Sequence, residues 1–115
     1  MPETVMRLAN HQNIVGIKEA LDSSERLSEL IKISQSIADQ KNFSVFSGDD
    51  PTFNSFMANG GDGVISVAAN VVPSYISQIC SLNLSGQFDE AKELNSILEN
   101  LYELLFVESN PIPVK

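Results

Sequence analysis

Positive charge is scarce in this chain: seven Lys and Arg stand against fifteen Asp and Glu, for a net charge of −8 over 115 residues. That balance disfavours a phosphate backbone and no basic cluster offsets it, so a nucleic-acid partner is not expected. Cysteine is nearly lacking too; Cys80, the only one, cannot form an internal disulfide. The N-terminal "MPETVMRLAN" does not show the basic-then-apolar order of a signal peptide. Together these two features point to a reducing, cytoplasmic setting. No apolar run approaches the roughly 18 residues of a membrane span, so no membrane partner is expected either. His11 is the single histidine, which leaves no familiar triad or zinc set to be built around it. It reads as a solvated residue in a helix-to-strand connection.

What is present is an ordinary globular composition, 43% hydrophobic, in a chain long enough for one small domain and one core. "PETVMRLANH" places Val5, Leu8 and Ala9 at helical spacing behind Pro2, which suits a first helical turn. Ile14 to Lys18 is short, β-branched and apolar on both alternating faces, the pattern of a strand covered on both sides in a parallel sheet. "DSSE", from Asp22 to Glu25, resembles a capping box with Asp22 as the cap, followed by a stripe of Leu27, Leu30, Ile31 and Ala38. "FSVF" from Phe43 is a second strand, and Asp50 with Pro51 makes a good N-cap and first residue for the helix after it. Asn59, Gly60 and Gly61 end that helix, Asp62-Gly63 turns the chain, and "VISVA" from Val64 is a third strand. A helix from Pro73 stops near Ser85-Gly86. A last long one, from about Asp89, aligns Ala91, Leu94, Leu98, Leu101 and Leu105.

Strands alternating with helices indicate a parallel α/β sheet with right-handed crossovers. Both ends look unfinished for such a domain, and three parallel strands would leave two open edges that proteins normally pair or cover. The pattern therefore suggests a piece of a larger α/β fold.

Alternation puts Ile14, Gly16 and Lys18 on one strand face, with Gly16 leaving space beside the lysine. Lys18 sits at the C-terminal end of its strand, where sites assemble in parallel α/β sheets and barrels. Spacing leaves two readings open. A buried lysine loses its proton more readily and becomes a nucleophilic amine suited to Schiff-base chemistry; an unburied one merely snorkels out to water. Asp49 and Asp50 could hold a divalent cation or act as an acid pair, although capping explains Asp50. "NGGDG" precedes a strand, whereas a phosphate cradle follows one and opens a helix, so it reads as a turn. Cys80 reads as a small packing residue. Asp89, Glu90, Glu93 and Glu99 read as a solvated face, and Tyr75 and Tyr102 as residues of outer helices.

The stretches "NIVGIKEA", "FSVFSGDD", "GGDGVISVAANVVP" and "LFVESNPIPVK" resemble, in order and spacing, the successive signatures of the dihydrodipicolinate synthase (4-hydroxy-tetrahydrodipicolinate synthase) family. "GIKEA" and "NPIPVK" together are fairly specific, and the resemblance spans essentially all 115 residues. It implies a partial (α/β)8, or TIM, barrel: a single segment, 1–115, of about three βα units, strands six to eight of the family fold, plus a further C-terminal helix, truncated at both ends. It also implies that Lys18 forms the Schiff base with pyruvate. Ile65 matches a residue whose backbone carbonyl lies at the pyruvate site, and Gly48 a glycine lining the mouth of the preceding strand.

The implied reaction condenses pyruvate with L-aspartate 4-semialdehyde in lysine and diaminopimelate biosynthesis, with the imine as electron sink and no metal or organic cofactor. The family's Gly-Gly-Thr-Thr-Gly-Glu stretch, its relay tyrosines, the arginine for the aldehyde substrate and its lysine-binding residues belong to the first five strands and have no counterpart here. Leu21-Asp22 replaces a frequent Thr-Gly pair, and there is extra length between about Ser36 and Asn42. The resemblance therefore implies a fragment or split product of a usually homotetrameric enzyme, not active alone. The alternative readings are a related pyruvate aldolase such as N-acetylneuraminate lyase, and a non-enzymatic chain, either an inactive remnant or an assembly partner that complements a separately encoded N-terminal half.

Overall fold

A computed structural model describes residues 1–115. Six helices and three strands alternate along the chain in the order α1 (Pro2–Ala9), β1 (Gly16–Glu19), α2 (Ser24–Ser36), β2 (Ser44–Ser47), α3 (Phe53–Ala58), β3 (Gly63–Val64), α4 (Pro73–Leu84), α5 (Phe88–Ser96) and α6 (Glu99–Leu105). The strands form one parallel sheet in the order β1-β2-β3. This is the α/β pattern expected from the alternation of periodicities. No helix is long and apolar enough to cross a membrane.

Helix ends follow local chemistry, with some shifts from expectation. Ser23, and not Asp22, caps α2, its hydroxyl accepting from the Arg26 amide at 3.2 Å. The buried stripe behind it is Leu27, Leu30, Ile33 and Ile37; Ile31 is only partly covered and Ala38 is exposed beyond the helix end. In α1, Val5 and Ala9 are buried while Leu8 faces solvent. Gly60, at φ +103°, ends α3 with the left-handed geometry that glycine adopts without strain.

The long C-terminal helix is two helices. An i to i+3 bond from the Leu98 amide to the Asn95 carbonyl (2.9 Å) tightens the chain between α5 and α6. The buried stripe then runs Ala91, Asn95, Leu98, Tyr102 and Leu105, displacing Leu94 and Leu101 to the flank. Tyr102, 2% exposed, donates its hydroxyl to Asn95 Oδ1 at 2.9 Å, so each polar group supplies the partner that the other needs inside the protein. Burial, helped by the charge of Asp50, pushes the Tyr102 phenol well above its ordinary range.

The apolar interior is two cores, where one was expected. One contains nine buried residues, eight between the start of α1 and the end of β2 plus Phe56 of α3; the other contains nine between the start of α3 and the end of α6, including Phe53, Met57, Ile79 and Tyr102. Helix α3 is the seam, with Phe56 facing one cluster and Phe53 and Met57 the other. The sheet is covered on one face only. Val45 and Ser47 of β2 are buried and Ile17 packs on the first core, whereas Lys18 is exposed and Ile65 is 51% exposed. The expectation of a strand covered on both sides fails for β1, because these residues provide only one layer of helices.

Candidate active site

The register pairs Lys18 with Phe46 and Phe46 with Gly63. Because side chains alternate, Lys18, Phe46, Gly48, Gly63 and Ile65 share the uncovered face. Lys18, Gly48 and Ile65 occur at the C-terminal ends of three adjacent strands. The Gly48 amide donates to the Glu19 carbonyl at 2.8 Å, and the Ile65 amide to the Ser47 carbonyl, also at 2.8 Å. Backbone bonds across the sheet thus lock the three positions relative to one another.

Gly48 is the residue that makes room for the lysine. A Cβ placed on it would lie 2.5 Å from Lys18 Cε and 3.1 Å from Cγ. Gly16, credited with that space from the sequence, serves a different purpose: its missing Cβ would lie 2.7 Å from the Ser44 carbonyl oxygen on β2. Ile14, expected on the lysine's face, precedes β1 and packs against the first core.

Lys18 makes no ion pair. The one ion pair of the chain joins Arg26 Nε to Glu19 Oε2 at 2.8 Å on the opposite face. Burial works to raise the Glu19 carboxyl. The hydrogen bond and charge of Arg26, with the Leu21 and Ala20 amides, outweigh burial and hold Glu19 below the usual carboxylate range. The adjacent Lys and Glu of "GIKEA" therefore do separate work: Glu19 ties the strand end to α2, and Lys18 is left unpaired.

The two aspartates after Gly48 are both engaged in main-chain binding, in a way that capping alone did not reveal. Asp49 Oδ2 accepts from the Thr52 amide (3.1 Å) and hydroxyl (2.6 Å), holding the turn into α3. Asp50 was expected to cap that helix, but α3 begins at Phe53. Asp50 instead reaches to the other side of β3, where Oδ2 accepts from the amides of Val67 (3.0 Å) and Ala68 (2.8 Å). That capture explains why β3 is two residues long where "VISVA" predicted five: amides that a longer strand would offer to a neighbour bind a carboxylate and start a 3-10 turn at Ala68–Asn70. The doubled Asp in "SGDDP" was the available signal, and only the three-dimensional partner distinguished the two roles.

The other candidates are inert. Asp62 of the "NGGDG" turn bonds Val45 from both its amide (2.9 Å) and its Oδ2 (2.7 Å to the Val45 amide), a turn-to-strand clasp. His11 is exposed, and its Nδ1 accepts from the Asn13 amide at 3.2 Å. Burial pushes the Cys80 thiol up, against a weaker opposing hydrogen bond with the Val64 backbone, so the thiol is a poor nucleophile. No group of three or more His, Cys, Asp or Glu side chains comes together in metal-binding range. An open groove of about 350 Å³ between α2 and α3, bordered by Leu27, Ile31 and Phe56, is not lined by Lys18.

The sequence model described as the dihydrodipicolinate synthetase family matches residues 1–115. The 4-hydroxy-tetrahydrodipicolinate synthase of Teredinibacter turnerae is 51% identical over the whole chain, which spans 38% of that relative's length. The crystal structure of dihydrodipicolinate synthase from Aquifex aeolicus superimposes with a TM-score of 0.89 at 40% identity, over 98% of this chain and 37% of that one. The chloride-inhibited enzyme of Acinetobacter baumannii, solved in complex with pyruvate, superimposes with a TM-score of 0.85 at 42% identity, over 98% and 37%. With every element from α1 to the C-terminus matched in sequence and in backbone, the chain belongs to the dihydrodipicolinate synthetase family.

Proposed function

We propose that these residues serve 4-hydroxy-tetrahydrodipicolinate synthase activity, with Lys18 as the amine that forms a Schiff base with pyruvate. The observation that carries the reading is an unpaired lysine lying over Gly48 on an uncovered strand-end face, in a chain of this family. In its neutral form Lys18 Nζ attacks the ketone carbon of pyruvate; loss of water gives the imine, and loss of a methyl proton gives the enamine. The enamine carbon adds to the aldehyde of L-aspartate 4-semialdehyde. The substrate's amine then attacks the imine carbon, closing the ring and expelling Lys18. The imine nitrogen takes up the electron pair when the methyl proton leaves, and the aldehyde oxygen takes up a proton as the carbon–carbon bond forms, so the steps balance without a further electron acceptor. Gly48 leaves the lysine stem its path, and Ile65 offers its backbone carbonyl to bound pyruvate.

The same reading makes the sheet strands six to eight of an (α/β)8 barrel. The uncovered face would be the barrel interior, closed by a polypeptide equivalent to the part of the relatives that this chain does not match. Covering that face would exclude water from Lys18 and favour its neutral form. The groups that the resemblance assigns to the pyruvate carboxylate and to proton relay would come from that partner.

Borohydride trapping with pyruvate tests this, using the chain alone and mixed with such a polypeptide, followed by peptide mapping. A reduced adduct on Lys18 in the mixture, with little or none in the chain alone, is the expected result. No adduct on Lys18 in either sample would remove the catalytic assignment.

A further inference from the structure

Asp50 is the one buried acid of the chain, 3% exposed, and its carboxylate is used unevenly. Oδ2 accepts two backbone amides, those of Val67 and Ala68, while Oδ1 is buried with no protein partner. Burying a charge with half its acceptor capacity unfilled is unfavourable. Closing a turn does not demand it, since serine and threonine hydroxyls make such local bonds without burying a charge. Ser66 Oγ does so beside it, accepting from the Ala69 amide at 2.9 Å. The question is what the stronger, charge-assisted clasp holds.

It holds the two peptides that follow the Ile65–Ser66 peptide, Ser66–Val67 and Val67–Ala68. The Ile65 carbonyl belongs to the Ile65–Ser66 peptide. On the near side, the Ile65 amide is fixed to the Ser47 carbonyl of β2 at 2.8 Å. On the far side, the next residue, Val67, is fixed to Asp50, which also follows β2. Both anchors originate from one strand exit, and Gly48, over which Lys18 lies, is between them in the sequence. We infer that Asp50 is a positioning residue: by clasping Val67 and Ala68 it sets the direction of the Ile65 carbonyl relative to Lys18. It has no acid-base role. The inference rests on the proposed Schiff-base reading and adds to it a residue that neither touches substrate nor caps its own helix.

The test compares Asp50→Ala and Asp50→Asn with the unaltered chain, complemented as in the trapping assay, by two measurements. One is the pyruvate concentration giving half-maximal Lys18 adduct; the other is amide hydrogen exchange at Val67 and Ala68, with Leu30 and Ile33 of the first core as controls. Asparagine keeps an oxygen that can accept both amides, and alanine does not. D50A is expected to speed exchange at Val67 and Ala68 and to raise the half-saturating pyruvate concentration about tenfold, the scale on which small misplacements act. D50N is expected to remain within about threefold in both. Unchanged exchange in D50A would overturn the clasp. Faster exchange with unchanged half-saturation would overturn the positioning role. If D50A also loosens Leu30 and Ile33, D50N decides: protected amides with near-normal half-saturation support the inference, and protected amides with lost half-saturation overturn it. Absence of any Lys18 adduct in the unaltered chain would remove the functional reading and the positioning role together, and the exchange result would still show whether the clasp exists.

Discussion

A methyl group added at Gly48 would sit 2.5 Å from Cε of Lys18, the far end of a flexible side chain; one added at Gly16 would sit 2.7 Å from a backbone oxygen of the neighbouring strand. The two substitutions should therefore fail differently. Gly48→Ala can be absorbed by swinging the lysine aside and by a small shift of Ala20, whose Cβ would lie 3.1 Å away, so the complemented assembly should lose about 1 kcal/mol of stability while the yield of Lys18 adduct falls about tenfold. Gly16→Ala forces two strands apart and should cost about 1–3 kcal/mol. Thermal midpoints and trapping yields check both. Equal loss of adduct at unchanged stability in the two variants would contradict the assignment of Gly48 as the lysine's neighbour. Lys18 itself was legible in the sequence as an ammonium at a strand end. Its supporting glycine was not, because alternation along β1 points to Gly16, whereas the contact comes from β2.

Among the elements, β1 and α2 are joined by Arg26 and Glu19, seven residues apart, with the pair largely shielded from solvent. Glu19 has a carboxyl lowered from its ordinary 4.5 in the folded chain. A lowered folded value contributes stability that is present above the unfolded value and is lost as pH falls through the folded one. The unaltered assembly should therefore lose thermal stability below about pH 4.5 more steeply than Glu19→Gln, which cannot titrate, with the difference between them constant at higher pH. Parallel acid limbs in thermal scans would show that the pair contributes nothing. Element types and order follow from local patterning, but several boundaries do not. Hydrophobic spacing saw one long helix where Asn95 and Tyr102 build a polar contact across a break, and it saw five strand residues where Asp50 diverts the amides of two. In each case a polar side chain reaching a distant partner overrode the local preference.

At the scale of the whole molecule, the exposed surface is 7269 Å², against about 6,200 Å² for a compact monomer of this mass. The radius of gyration is 14.9 Å, against about 13.3 Å for this length. The difference is carried by features already described: two small cores, a sheet covered on one face, and large apolar side chains such as Val15, Phe106 and Val107 in solvent. Such a surface favours association. The isolated chain is expected to sediment as species larger than a monomer and to bind a hydrophobic dye, with both effects reduced by the complementing polypeptide. A dilute, dye-free monomer unfolding cooperatively would contradict this.

By itself, the sequence determined the order of strands and helices, their parallel arrangement and the family resemblance, since turn residues, short-range periodicity and ordered signature stretches are all written along the chain. Tertiary structure alone decided which glycine adjoins Lys18, which turn Asp50 holds and which sheet face is uncovered. Those depend on contacts between residues far apart in the chain, and the spacing of near neighbours carries no record of them.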